Sequence, residues 1–130
     1  MKGQVINKKS ALTSLNVAKA IARFASDKKA EDILVLDMRK VVNFCDYFVL
    51  SSGNTDRHVK AIAEGIEEGL KDLGIKVNLK EGHKQSDWIV LDTGDIVIHV
   101  FLKDLREFYG LEYLWQEAKK IKWESKSKKK

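Results

Sequence analysis

WIVLDTGDIVIHVF, residues 88–101, is the stretch that decides the fold of this chain. Apolar residues fill both ends of it and turn residues occupy its centre, which predicts two antiparallel strands joined by a two-residue turn at Thr93-Gly94. In that register Asp92 lies directly opposite Asp95. The sequence therefore predicts a β-hairpin with two carboxylates side by side at its turn.

Side chains alternate between the two faces of a strand, and the two faces of this hairpin differ in chemistry. The first face is apolar and carries Ile89, Leu91, Ile96 and Ile98. The second face carries Trp88, Val90, Asp92, Asp95, Val97 and His99, with Trp88 opposite His99. Adjacent like charges destabilise a strand pair, so the aspartates suit solvent or a cationic partner better than burial. Two interpretations stay open: Trp88 packs beneath a helix, or it anchors a protein interface with an acidic rim.

The elements on either side of the hairpin follow from the spacing of apolar residues and from turn residues. A first helix begins behind Ser10 or Thr13, and a second, residues 59–73, ends at Gly74. A third, residues 104–118, opens with a capping box. The predicted strands are residues 33–36, 47–51, 75–79, 88–91 and 96–101. This order predicts an α/β (α+β) protein, a mixed sheet of about five strands with helices packed on it.

Length and composition predict one soluble domain. The chain has 130 residues, of which 44% are hydrophobic and 33% charged. We expect an N-terminal extension at 1–11, a single domain at 12–124 and a Lys-rich, disordered tail at 125–130. No stretch without a charged residue exceeds nine residues, so no membrane-spanning segment is expected. No secretory signal is evident and there is one cysteine, which favours a reducing compartment, most simply the cytoplasm.

The net charge of +5 is unevenly distributed. Residues 119–130 hold seven lysines and one glutamate, so the rest of the chain carries a net −1. Residues 87–117 hold seven acids against one lysine and one arginine. That segment repels phosphate and attracts a basic partner. The lysine tail is either a solvated end or a sequence-independent contact with phosphate, as in ribosomal RNA.

The sequence lacks part of the residue set that each enzymatic interpretation requires. A metal-dependent nucleotidyl transferase needs a phosphate-binding loop and two carboxylates that share a cation. Residues 51–54, Ser-Ser-Gly-Asn, suit such a loop, but Asp37 and Asp46 each stand alone, so an ordinary strand-to-helix junction is favoured. Cys45 is predicted to be a small core residue and not a nucleophile. The histidine and cysteine spacing matches no zinc site, and no metal or cofactor is expected.

Several segments together resemble the ribosomal silencing factor family, also called RsfS or Iojap-like. The resemblance covers roughly residues 12–119. It is carried by residues 27–37, 46–53, 81–82, 88–92, 94–101 and 106–115. It implies a nucleotidyltransferase-like fold without transferase activity. It also implies a cytoplasmic translation repressor that binds the large ribosomal subunit through its fourteenth protein.

In this family, binding blocks the joining of the small subunit and lowers translation when nutrients are scarce, and the free protein is often a homodimer. Carried over residue by residue, the resemblance assigns the ribosomal-protein contact to Trp88, Asp92, Asp95, His99, Arg106 and Tyr109. The alternative from another class is a nucleotide-binding or nucleotidyl-transfer enzyme. It would use Ser52, Gly53 and a carboxylate from Asp37 or Asp46.

Overall fold

The computed structural model describes residues 12–82, 87–105 and 116–124. Within them lie two complete helices, six strands and a helical segment at residues 103–105. The helices are α1 (Ser14–Asp27) and α2 (Asp56–Asp72). The strands are β1 (Glu31–Asp37), β2 (Tyr47–Gly53), β3 (Leu79–Glu81), β4 (Trp88–Asp92), β5 (Ile96–Leu102) and β6 (Lys119–Ile121). They form one sheet in the order β3-β4-β5-β2-β1-β6. The predicted mixed α+β sheet is confirmed.

Both helices begin at threonine caps. The Thr13 hydroxyl accepts a hydrogen bond from the Asn16 amide at 3.1 Å, which identifies Thr13 as the cap of α1. Thr55 caps α2 in the same way. Gly74 follows the end of α2 with φ of +78°, a conformation that glycine adopts without strain, so the predicted stop is confirmed. No helix in the described part of the chain is long and apolar enough to cross a membrane.

The central strand β2 is buried along its whole length because it is paired on both sides and covered on both faces. It runs parallel to β5 and antiparallel to β1, and the remaining pairs are antiparallel. Helices α1 and α2 pack on one face, where they meet residues such as Val35, Val49, Ile89, Leu91, Ile98 and Val100. The opposite face holds a separate apolar cluster of Leu36, Met38, Cys45, Phe48, Leu50, Val97, Phe101 and Ala118.

The hairpin register differs from the prediction by two residues. The central turn residues are Gly94 and Asp95, and the Thr93 amide donates to the Ile96 carbonyl at 3.0 Å. Gly94 has φ of +104°, and a two-residue hairpin turn favours glycine at its first central position. Phe101, not His99, therefore pairs with Trp88. Because side chains repeat every two residues along a strand, the shift leaves the strand residues on their predicted faces and moves only Asp95 into the turn.

Two edge strands also differ from the prediction. Strand β3 begins at Leu79, whereas residues 75–78 connect it to α2 and Ile75 packs on the helix-covered core. Residues 116–118 form a turn and bend and not the end of a helix, and the sequence did not predict β6. Strand β6 has only three residues, two of them lysines, and it forms because β1 offers a free edge for pairing. Most of the predicted third helix lies outside the described residues.

Candidate functional site

The hairpin turn separates the two aspartates that were expected to repel each other. Asp92 lies opposite Val97, and its side chain accepts a hydrogen bond from the Gly94 amide at 2.7 Å. Asp95 is an exposed turn residue whose carbonyl oxygen accepts from the Asp46 amide at 2.7 Å. The expectation of two directly opposed carboxylates is wrong, because Asp95 belongs to the turn and not to a paired strand position.

Trp88 is half-buried on the face opposite the helices. Its ring packs against Phe101 with centroids 5.1 Å apart, and its indole N–H donates to Nδ1 of His99 at 3.1 Å. Among the residues predicted for this face Trp88 was the only aromatic, but Phe101 and Phe48 lie there as well. Trp88 thus combines core packing with partial exposure, a mixture of the two interpretations left open above.

His99 is buried, with 9% of its surface accessible. Because Nδ1 accepts the indole hydrogen bond, Nε2 carries the ring hydrogen, and it has no partner among the described residues. Burial lowers the pKa of His99 to about 4, so the ring is neutral at physiological pH. A neutral, buried ring is suited to holding the indole of Trp88 in place. It is less suited to a direct ionic contact with a partner.

The structure brings four of the six predicted contact residues to one side of the molecule. Trp88, Asp92 and His99 share the face opposite the helices, and Asp95 lies in the turn that borders it. Arg106 and Tyr109 lie outside the described residues.

A loop that sequence reasoning did not assign to the site lies beside the hairpin turn. Residues 38–46 join β1 to β2, and the Phe44 ring there is 60% exposed. Between this loop and the turn is a cleft of about 260 Å³. It is lined by Arg39, Val42, Asn43, Phe44, Cys45, Asp46, Gly94 and Asp95. The apolar run around Phe44 has no strand or helix period, so no sequence signal separates an exposed ring from a buried one.

The alternative transferase site is not assembled. Ser52 pairs with Glu31 at one end of β1, and Asp37 pairs with Tyr47 at the other. At about 3.3 Å per residue, the five steps along the strand from Tyr47 to Ser52 span roughly 16 Å. The carboxylate of Asp37 and the Ser-Ser-Gly-Asn loop therefore lie at opposite ends of these strands. Asp46 immediately precedes β2, so it lies at the Asp37 end, away from the loop.

In the Ser-Ser-Gly-Asn loop and the first turn of α2, backbone amides that could bind a phosphate donate to side chains of the protein itself. The Asn54 amide donates to Nδ1 of His58 at 3.0 Å, and the His58 amide donates to the Thr55 hydroxyl at 3.1 Å. A Cβ atom on Gly53 would lie 2.9 Å from the Val59 amide nitrogen, so the helix packs directly on the loop. These amides are already paired within the protein, which favours the interpretation of an ordinary strand-to-helix junction.

Cys45 is a packing residue, as predicted from its apolar surroundings. Its side chain is buried in the cluster opposite the helices. Burial raises the pKa of the thiol to about 11, which keeps it protonated at neutral pH, whereas a nucleophilic cysteine reacts as the thiolate. Within the described ranges, no group of three or more His, Cys, Asp or Glu side chains is placed to hold a metal ion.

Comparison with known proteins finds similarity to ribosomal silencing factors over most of the chain. Residues 11–130 match the family described as "Ribosomal silencing factor during starvation". The ribosomal silencing factor RsfS of Bacillus subtilis strain 168 is 44% identical over 103 residues, which cover 79% of this chain and 87% of that protein. The mouse protein named mitochondrial assembly of ribosomal large subunit protein 1 is 36% identical over 91 residues, covering 68% of this chain and 40% of that protein.

A solved structure shares the fold. The crystal structure of a protein from Chromobacterium violaceum superimposes with a TM-score of 0.76 at 30% sequence identity. The superposition covers 88% of this chain and 95% of that chain.

Proposed function

This chain belongs to the ribosomal silencing factor family. We propose that it represses translation by binding the large ribosomal subunit and sterically blocking the joining of the small subunit. The observation that carries the proposal is the family match over residues 11–130. The large subunit also appears in the name of the mouse relative. The words "during starvation" in the family description support repression under nutrient limitation.

The proposed partner on the large subunit is its fourteenth protein, and the proposed contact is the hairpin face. Asp92 and Asp95 give this side of the molecule a negative charge that complements a basic ribosomal protein. Trp88 adds a half-buried aromatic ring of the kind that anchors protein interfaces. His99 contributes indirectly, since its Nδ1 accepts the indole hydrogen bond.

The proposed role requires no catalysis. The carboxylates of Asp37 and Asp46 lie a strand length away from Ser52, which argues against the transferase alternative. The nucleotidyltransferase-like topology implied by the resemblance stays a prediction. Occlusion needs a rigid surface and a partner, and a six-stranded sheet with two packed helices supplies that surface.

Three further parts of the proposal concern the setting of the protein. We expect it to act in the cytoplasm, where its ribosomal partner lies. The tail at 125–130 is proposed to touch ribosomal RNA through charge alone, because it has four lysines and no aromatic residue. Homodimerisation of the free protein stays a prediction.

Co-sedimentation with purified large subunits, followed by a subunit-joining assay, tests the proposal. The double variant Asp92→Lys with Asp95→Lys should lose binding and no longer inhibit joining. The matched control, Asp92→Asn with Asp95→Asn, removes the charge but keeps an oxygen to accept the Gly94 amide hydrogen bond. It should fold like the wild type and bind with intermediate affinity. Wild-type affinity in the lysine variant would refute the proposed contact.

Trp88 is tested separately because it also packs against Phe101. Trp88→Ala should weaken binding by about thirtyfold, the effect of losing an anchor that contributes about 2 kcal/mol. Trp88→Phe keeps an aromatic ring but loses the hydrogen bond to His99. Its affinity for large subunits should lie between those of the wild type and Trp88→Ala. Thermal unfolding must show that Trp88→Ala is folded under the conditions of the binding assay. If the variant binds normally while folded and loses binding only when it unfolds, Trp88 is a core residue and not an anchor.

A further inference from the structure

We propose that Phe44 and Leu79 are two apolar anchors of the same partner-binding surface. We further propose that the occupant of this surface is a basic region of the ribosomal protein that also presents apolar side chains. This inference rests on the proposed function and extends its contact beyond the hairpin. Neither residue belongs to the contact set that the family resemblance assigns.

Exposure singles out these two residues. Among the described residues they are the exposed large hydrophobic side chains, Phe44 at 60% and Leu79 at 47%. Phe48 and Phe101 are both at least 96% buried. Exposed rings and branched chains are common singly on protein surfaces, so what matters is where these two lie.

Both lie on the face opposite the helices and at the same end of the sheet. Leu79 pairs with Asp92, Asp92 pairs with Val97, and Val97 pairs with Phe48, so these four residues form one row across four strands. The Phe44 ring lies 6.4 Å from the Phe48 ring, at the end of that row. Three strand spacings of about 4.8 Å make the row roughly 14 Å long, well within one standard protein interface.

The charges beside the two anchors identify the kind of occupant. Asp92 is the cross-strand neighbour of Leu79, and the cleft beside Phe44 is lined by Asp46 and Asp95. The cation in that cleft, Arg39, forms two side-chain hydrogen bonds to Asp37, at 2.7 and 2.9 Å. Its charge is thereby compensated within the protein.

Lys80, next to Leu79, forms an ion pair with Glu67 at 3.2 Å. The carboxylates beside the two anchors form no ion pair among the described residues. Apolar anchors in such surroundings complement a lysine- or arginine-bearing protein surface and disfavour nucleic acid. The surface is also continuous with the proposed hairpin contact, since Asp92 belongs to both.

The test measures the affinity of the full chain for purified large subunits. Phe44→Ser and Leu79→Ser should each weaken binding by about tenfold, and both should unfold at the wild-type temperature because the two side chains are exposed. The matched control is Leu73→Ser, at the C-cap of α2, the helix that packs on the opposite side of the sheet. It should bind like the wild type.

The outcomes separate this inference from the proposed function. If the wild type does not bind large subunits, the proposed function fails. If the wild type binds and either serine variant binds equally well, the two-anchor surface is wrong while the proposed function stands. If the variants keep their ribosome affinity but lose self-association in analytical ultracentrifugation, the surface joins two copies of this chain and the inference is overturned. A loss of affinity for protein-free ribosomal RNA would likewise overturn it.

Discussion

Protonation of His99 should make this protein lose stability in mild acid. The ring is buried against Phe48 and Phe101, and its Nδ1 atom accepts the hydrogen bond from Trp88. Adding a proton at Nδ1 removes that acceptor and places a charge in an apolar cluster. Burial of the ring lowers the pKa of His99 to about 4, from an ordinary value of 6.5.

The size of the effect follows from these two values. Between pH 6.5 and pH 4 the unfolded chain binds a proton at His99 and the folded chain does not, so stability falls as the pH falls. From pH 7.5 to pH 5 the loss is about 2 kcal/mol. For a domain of this size that corresponds to a decrease of about 7 °C in the melting temperature.

The assay is thermal or urea unfolding at pH 7.5 and at pH 5, on the wild type and two variants. His99→Phe keeps a ring for stacking but loses the acceptor for the indole of Trp88. His99→Asn loses the ring but places an oxygen near the former position of Nδ1. Neither variant has a titrating side chain at position 99. From pH 7.5 to pH 5 the free energy of unfolding of each should therefore fall by about 2 kcal/mol less than that of the wild type.

Other titrating groups do not obscure the comparison. The pKa values of Glu31 and Asp37 are lowered by hydrogen bonds from Lys103 and Arg39, so the stability these carboxylates contribute is lost only below about pH 4.5. The remaining histidines are common to all three proteins and cancel in the difference. If the wild type and both variants lose the same stability between pH 7.5 and pH 5, the argument from burial is wrong.

Three further predictions concern other parts of the chain. Gly53→Ala should destabilise the protein by about 1–3 kcal/mol in thermal unfolding, because its Cβ would lie 2.9 Å from the Val59 amide nitrogen; an unchanged melting temperature would contradict this. No nucleoside triphosphate should be turned over, and turnover that disappears in Asp37→Ala or Asp46→Ala would show that a transferase site exists. Removal of residues 125–130 should leave the melting temperature unchanged and weaken ribosome binding mainly at low salt. A loss at every ionic strength would give the tail more than an electrostatic role.

Local sequence patterns were sufficient for helices α1 and α2 and for the faces of the central strands. The apolar spacing predicted one amphipathic helix behind Ser10 or Thr13 and a second at residues 59–73, and both form. Alternation assigned the strand residues 88–92 and 96–99 to their faces, and the assignment survived a two-residue error in register because the period of a strand is two. These features depend on neighbours within a few residues, which a sequence displays directly.

Pairing and exposure were decided by the tertiary structure. Whether Thr93-Gly94 or Gly94-Asp95 forms the turn depends on which register pairs the whole length of β4 and β5, and Gly94 fits the turn position that requires positive φ. Strand β6 exists because residues 119–121 meet the edge of β1, more than 80 residues earlier in the chain.

The candidate site shows the same division. The sequence by itself determined that the hairpin carries a tryptophan, a histidine and two aspartates beside an otherwise apolar core. Only the tertiary structure decided that His99 is buried and accepts the indole hydrogen bond of Trp88, and that Phe44 is exposed. The reason is physical: burial depends on what else packs against a side chain, and for these residues the neighbours come from strands and loops distant in sequence.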